Sequence, residues 1–387
     1  MRLWSTIDLS RNKDWISHFI SRSHHTLLKF VGHVPTNDEK IYDLPALAHR
    51  INTLDISFNS PFSQDFLEKL ASTPSWNSEN LSIKCTPADP HTKLDISCSS
   101  VHNLSLENVS VPWDVNCPNL RQLSLSNLPS EHAPSFAQLH AWLHASQQDL
   151  RVISLQHVEI LDTEVTDLEA ITLPNLQSIS LSCAPDVVQK LLGLIHHIPP
   201  HAQINIRAYY SLQPLHSITQ LLPSPCWPTL TSSPPRMLQL TASEIIADHG
   251  RLSIKLHPMA KRVFAPGAGL NKAIPLEQVS TLVLGVNFLR DISQEELQGV
   301  FEDLGSLHTL TIEDRNEMGN LFSLLAWNPQ ICPMLQVLRF EGTENREILS
   351  ESAKKLMLAR RGVKIETNVS ADTLGVHHSP QVLSISR

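Results

Sequence analysis

At 387 residues and 41% hydrophobic side chains, the chain is long enough to bury an extended core, as two or three globular domains or as one repeat array. A net charge of −8 argues against nucleic acid as a main partner. No apolar run approaches the ~20 residues of a membrane span, and the opening MRLWSTIDLSRNKDW lacks the apolar stretch of a secretory signal. The six cysteines (85, 98, 117, 183, 226 and 332) are scattered without a C-x-x-C. That is the usage of reduced thiols, so a cytoplasmic or nuclear protein is expected.

Taken from the N-terminus, Trp4, Ile7 and Leu9 read as a degenerate first strand. Residues 14–20 follow as an amphipathic helix, and Leu28–Phe30 as a second strand. Residues 45–50 are expected to be helical, and Ile51, Leu54, Ile56 and Asn59 spell L-x-x-L-x-L-x-x-N in full. After a helix at 62–71, L-x-L strands are predicted at Leu81/Ile83, Leu94/Ile96 and Leu104/Leu106, with returns too short for helices. Leu123/Leu125, Ile153/Leu155 and Ile179/Leu181 restore a longer period, with helices at 136–145 and 187–197 and a strand at Ile204/Ile206.

Five prolines in residues 221–235 mark a kink or boundary, because proline lacks the amide donor and biases its predecessor away from helix. Leu238/Leu240 resumes the pattern. Residues 251–276 carry five basic side chains and no acid, and read as an irregular insertion. Then come three copies in register, at Val279/Leu282/Leu284/Asn287, Leu307/Leu310/Ile312 and Leu335/Leu338/Phe340, 28 residues apart. Helices at 294–304 and 320–327 separate them. A last helix at 353–361, a strand at Val363/Ile365 and a loose tail at 371–387 close the chain.

In L-x-L both leucines point to one side of a strand. A unit this small cannot bury that side alone, so neighbours must stack. Units of 20–29 residues with this signature are leucine-rich repeats. The predicted fold is therefore α/β: an irregular leucine-rich-repeat solenoid over 1–370, with parallel strands on a concave face and helices or loops on the convex face. A closed α/β barrel stops at eight strands in ~250 residues, fewer than the roughly thirteen strands counted here.

Cys117-Pro118-Asn119-Leu120 and Cys332-Pro333-Met334-Leu335 open repeats with C-P-x-L-x-x-L-x-L, and Pro174-Asn175-Leu176 is a near copy. This resembles the cysteine-containing repeats of F-box proteins. Leu3-Trp4-Ser5-Thr6-Ile7, then Trp15-Ile16 and Arg22-Ser23, resembles the segment after the F-box in the fungal (mushroom-type) F-box-like family. Val111-Pro112-Trp113 and residues 356–366 are similar to that family as well. The resemblance implies a substrate-recognition module of an SCF-type ubiquitin ligase. The adaptor-gripping helices would precede Leu3-Trp4 and are expected to be missing, so the adaptor would be a partner only if an F-box is supplied upstream. The alternative is a truncated relative outside any ligase, a stand-alone scaffold or non-functional, its Trp4, Ile7 and Leu9 left uncovered.

No phosphate loop, H-E-x-x-H or G-x-S-x-G occurs, so no enzyme, cofactor or metal is expected. The adjacent pairs His24-His25, His196-His197 and His377-His378 diverge by about 100° on a helix and are poor chelates. Trp15, Trp142 and Trp327 read as core residues of the covering helices, and Trp113 as a loop plug. The expected binding surface is the strand face that the leucines leave bare: Thr53, Asp55, Ser57, Gln122, Ser124 and Ser126 in the first half; Thr281, Val283, Gly285, Thr309, Thr311, Glu313, Val337, Arg339 and Glu341 in the second. Residues 277–351 hold thirteen acids against four arginines. That charge belongs either to a solvated outer face or to the strands, where it would favour a basic segment of a protein partner. A monomer is expected.

Overall fold

The computed structural model describes residues 5–34, 45–58, 78–86, 100–114, 117–160, 168–208, 217–223, 228–256, 269–285, 287–313, 318–341, 356, 358–360, 362–368 and 381–382. The predicted helix at 62–71, the strand at Leu94/Ile96, most of the helix at 353–361, and the residues Trp4, Asn59, His377 and His378 lie outside them. The chain is α/β and divides into two units, Met1–Cys183 with Leu194–Ala202, and Ala184–Gly193 with Gln203–Arg387. The proline-rich segment lies within the second.

The first unit is a parallel sheet. Its strands are β1 (Thr6–Asp8), β2 (Leu28–Val34), β3 (Ile51–Phe58), β4 (Asn80–Cys85), β5 (Asn103–Glu107), β6 (Gln122–Leu128), β7 (Val152–Val158) and β9 (Ser178–Ser182). Each pairs in parallel with the next. Short β8 (Ile171–Thr172) and β10 (Ile195–His197) pair separately. Register puts like on like. Leu54, Leu81, Leu104, Leu123, Ile153 and Ile179 form one row, and Ile56, Ile83, Leu106, Leu125, Leu155 and Leu181 a second. Every member is at most 1% exposed. Each such burial is worth about 1.5–3 kcal/mol.

Helices α1 (Lys13–Ser23) and α2 (Phe136–Ala145) add Ile16, Phe136, Leu139, Trp142 and Leu143 to this core. Both begin on a side-chain cap: Asn12 accepts from the Trp15 amide, and Ser135 forms a capping box with Gln138. Trp142 Nε1 donates to the Trp113 carbonyl (3.1 Å) and Trp113 Nε1 to that of His132 (3.0 Å), with the rings 5.1 Å apart. Trp113 thus plugs a loop onto α2, as its sequence setting predicts.

The backbone repeats as well. Just ahead of β4, β5, β6 and β7 one carbonyl accepts two amides from the following strand. Glu79 serves His102 and Asn103, His102 serves Arg121 and Gln122, and Arg121 serves Arg151 and Val152. At the far end Asn108, Asn127 and His157 turn the chain with φ of 56°, 55° and 53°, a left-handed conformation that asparagine tolerates better than most residues. The Asn108 amide donates back to the Cys85 carbonyl (2.7 Å).

The second unit uses the same devices. Strands β11 (Gln203–Ala208), β12 (Met237–Leu240), β13 (Glu244–Ala247), β14 (Leu252–Leu256), β15 (Thr281–Leu284), β16 (Thr309–Ile312), β17 (Val337–Glu341), β18 (Lys364–Asn368) and β19 (Gln381–Val382) make one sheet in the order β11-β14-β13-β12-β15-β16-β17-β18-β19. Leu238, Leu282, Leu310, Leu338 and Ile365 form its aliphatic row. Helices α3 (Pro185–Leu194), α4 (Gln294–Glu302) and α5 (Met318–Trp327) bury one stripe each. The α5 residue Phe322 packs 5.8 Å from Phe340 of the sheet.

Several features depart from the sequence reading: the helix predicted at 187–197 ends at Leu194, and Ile195–His197 form strand β10 instead. The insertion proposed at 251–276 opens as a strand, and β12, β13 and β14 form an antiparallel meander within the parallel sheet. Its second turn passes through left-handed Asp248, His249 and Gly250 (φ 45°, 55° and 96°), with Asp248 Oδ1 accepting from the amides of Arg236 and Met237. The tail expected to be loose contributes β19, antiparallel to β18. Trp327 is 82% exposed rather than core. At about 100° per residue it falls outside the arc of Leu321, Phe322, Leu324 and Leu325.

Arg360 holds the end of α5. It is 8% exposed, and its guanidinium donates to the carbonyls of Leu325 (2.8 Å), Asn328 (2.8 Å), Cys332 (2.9 Å) and Ile331. A cation there satisfies the orphan carbonyls of a helix C-terminus and complements its dipole. Arg360→Met should lower the unfolding free energy by roughly 2–4 kcal/mol, because it leaves buried acceptors unpaired; an unchanged urea midpoint would show that the guanidinium carries no load. Leu310→Asp should cost several kcal/mol by losing leucine burial and placing a carboxylate in an apolar layer, and a thermal melt reads it directly.

Candidate functional site

Side chains alternate across a strand, so stacking the leucines in rows also stacks their neighbours on the opposite face. In the first unit this yields three polar rows. The first runs Lys29, Thr53, Asn80, Asn103, Gln122. The second runs Asp55, Ser82, Ser105, Ser124, Ser154, Ser180, five serines on five consecutive strands. The third runs His33, Ser57, Lys84, Glu107, Ser126, Gln156. All six positions expected here (Thr53, Asp55, Ser57, Gln122, Ser124, Ser126) lie on this face, half-buried or exposed.

The middle of the first row is hydrogen-bonded. The Asn103 amide donates to Asn80 Oδ1, the Asn80 amide to Thr53 Oγ1 (3.1 Å), and the Thr53 hydroxyl to Asn52 Oδ1 (3.2 Å). Lys84 and Glu107 pair at 3.1 Å. A depression of about 450 Å³ opens over the middle of the face, walled by Lys29, Thr53, Asp55, Asn80, Ser82, Asn103, Ser105 and Gln122. Asn80, Ser82, Asn103 and Ser105 were not picked out in the sequence. Their signal was there, since they flank Leu81/Ile83 and Leu104/Leu106 as Thr53 and Asp55 flank Leu54.

The second unit's face is different. Thr281, Thr309 and Val337 share one row, and Val283, Thr311 and Arg339 the next. Val283 and Thr311 were expected to be exposed and are not, at 9% and 5%. Both are short and stand in their row between the longer Gln239 and Arg339. Gly285 is buried too; a Cβ there would come within 2.6 Å of Thr241 Cγ2 and 3.4 Å of Glu313 Oε2.

Charge on this face is mixed. Arg339 and Lys364 both bind Glu366, at 3.0 and 2.7 Å, and hold its carboxyl below the usual range, Lys364 contributing most. Glu313 and Glu341 remain as a like-charged pair, and burial and then Glu341 push the Glu313 carboxyl above its ordinary range. Much of the block's acidity sits elsewhere. Glu295, Glu296 and Glu302 are on α4, and Asp303 at its end accepts from Asn271 (2.7 Å). Among the described residues of this block, the strands carry only Glu313 and Glu341, so most of its described acidity lies off the strands.

Cys85, Cys117, Cys183 and Cys332 are buried, and none of the four is in a disulfide. Burial pushes the thiols of Cys183 and Cys332 up to about 11 and about 12, so both stay protonated. Lys84, the one cation beside Cys85 in sequence, faces the other side and pairs with Glu107. Cys98 and Cys226 lie outside the described residues. Among the described residues no three His, Cys, Asp or Glu side chains gather into a metal cage, and no helix is long and apolar enough to cross a membrane. No family model and no curated protein matches the chain.

A carboxyl raised in the folded state favours folding below its unfolded value and loses that advantage as pH rises through the folded one. Glu313→Gln should therefore be more stable than the parent at neutral pH. The gap should close as pH falls to about 4, and melts across that range measure it.

Proposed function

We propose that the chain is a non-enzymatic protein-binding module with leucine-rich-repeat solenoid architecture, whose strands line a concave docking surface. The observation that carries this reading is the polar face of the first unit, with its rows of serine and carboxamide side chains and their depression opposite two unbroken aliphatic rows. Repeat scaffolds use such a face as a rigid multi-point template, which limits the freedom lost on binding. The balanced charge of the face favours a polar, hydrogen-bonding segment over the basic one that the sequence composition suggests. The resemblance of the L-W start and the C-P-x-L repeats to F-box-like proteins supports the narrower role of substrate recognition for ubiquitin transfer.

Two experiments test the general and the narrow role. A photo-crosslinking residue at Ser105 should trap a discrete partner that one at Ala141, on the exposed side of α2, does not; adducts at both positions or neither would remove the docking face. Ser105→Arg should abolish capture while changing stability by no more than about 0.5 kcal/mol. The ligase role further requires that the protein from the full-length transcript co-precipitate an SCF adaptor. An empty pull-down would leave a binding module outside any ligase.

A further inference from the structure

We infer that the polar face of the first unit takes an extended peptide segment with an acidic and a basic side chain two residues apart, the acid on Lys29 and the base on Asp55. This rests on the docking-face reading above and names its occupant. Both residues wall the depression at its β2–β3 end, and both are exposed. Neither side chain forms an ion pair or a hydrogen bond among the described residues.

Register explains why these two charges stay apart. On the third row Lys84 stands directly opposite Glu107, and the two pair at 3.1 Å. Lys29 instead stands opposite Thr53, with Asp55 two residues further along β3. A strand separation of about 4.8 Å and a rise of about 3.3 Å per residue make that diagonal about 8 Å. In an extended peptide, residues two apart point to one side and lie about 7 Å from each other. An acid and a base so spaced, in either order along the partner chain, lie over Lys29 and Asp55.

Charge sorts the other ligand classes. A nucleic acid would set phosphates against Asp55, and a wholly basic segment would meet Lys29. An uncharged glycan would cover both charges without pairing either, which costs desolvation. Beyond the pair the depression is neutral. The side chains of Ser82, Ser105 and Gln122 wall it and have no hydrogen-bond partner among the described residues, so they suit the main chain and hydroxyls of the same segment. The two charges set register and select, as complementary charges do at interfaces.

A displayed library of random heptapeptides, panned on the full chain and counter-panned on Ser105→Arg, tests the assignment. Peptides specific to the parent should be enriched in an acid and a base two residues apart. Panning on Lys29→Glu should select two bases at that spacing, and on Asp55→Lys two acids. By fluorescence anisotropy each reversal should weaken a parent-selected synthetic peptide roughly five- to tenfold. Thermal melts check that the variants fold, and either reversal alone carries the comparison. Peptides that Ser105→Arg rejects but that lack the pair, or that both reversals bind equally well, would overturn the inference and leave the docking face standing. Finding no peptide that distinguishes the parent from Ser105→Arg would remove both.

Discussion

The constraint on which the rest depends is the in-register stacking of aliphatic side chains across parallel strands. One leucine in an L-x-L strand has nothing to cover it on its own strand. It is buried only because Leu104 stands between Leu81 and Leu123, and so on along the row. A shift of one residue would turn every leucine to water at once, so the register is fixed by the whole row. The polar face follows from the same alternation, because a residue between two core leucines has only the other side to occupy.

This constraint acts on strands and leaves the returns free. Register steps from Leu81 to Leu104, Leu123, Ile153 and Ile179 span 23, 19, 30 and 26 residues. The longest holds α2, and the shortest only a turn through Asn108 and the Trp113 loop. What remains constant is the carbonyl that serves two amides ahead of each of β4 to β7, which recurs in the second unit at Arg236, Ser280 and His308. Backbone geometry is thus more regular than sequence spacing.

That regularity explains what could be read from the chain. Among the described residues the L-x-L pairs predicted fell on strands, the helix at 136–145 fell where apolar spacing placed it, and the one predicted at 294–304 ends two residues earlier, at Glu302. Of the meander of β12 to β14 only β12 was legible, from Leu238/Leu240. Glu244–Ala247 has no leucine pair, and Asp248-His249-Gly250 does not announce three consecutive left-handed residues. Net charge left open whether the acids lay on an outer face or on the strands, because it is summed along the chain whereas a surface is summed over a face; Glu295, Glu296 and Glu302 lie on α4. Arg360 read as one more base near the C-terminus. Its four carbonyl partners come from residues 325–332, a relation no local pattern encodes.

The composition of the first unit's polar face has a further consequence. Serine, threonine and asparagine have few rotatable bonds, so holding them for a ligand costs less side-chain entropy than holding lysine or glutamate. The chain of donors from Asn103 through Asn80 and Thr53 to Asn52 restrains them further before anything binds. Asn80 and Asn103 each have two side-chain N–H groups and spend one in that chain, while Asn52 only accepts there. On the proposed reading, affinity would come from many pre-positioned neutral hydrogen bonds rather than from charge. Such contacts depend little on salt, whereas exposed ion pairs such as Lys84–Glu107 contribute little and weaken as ionic strength rises. A face built this way selects by the spacing of donors and acceptors, which the strand separation of about 4.8 Å sets directly.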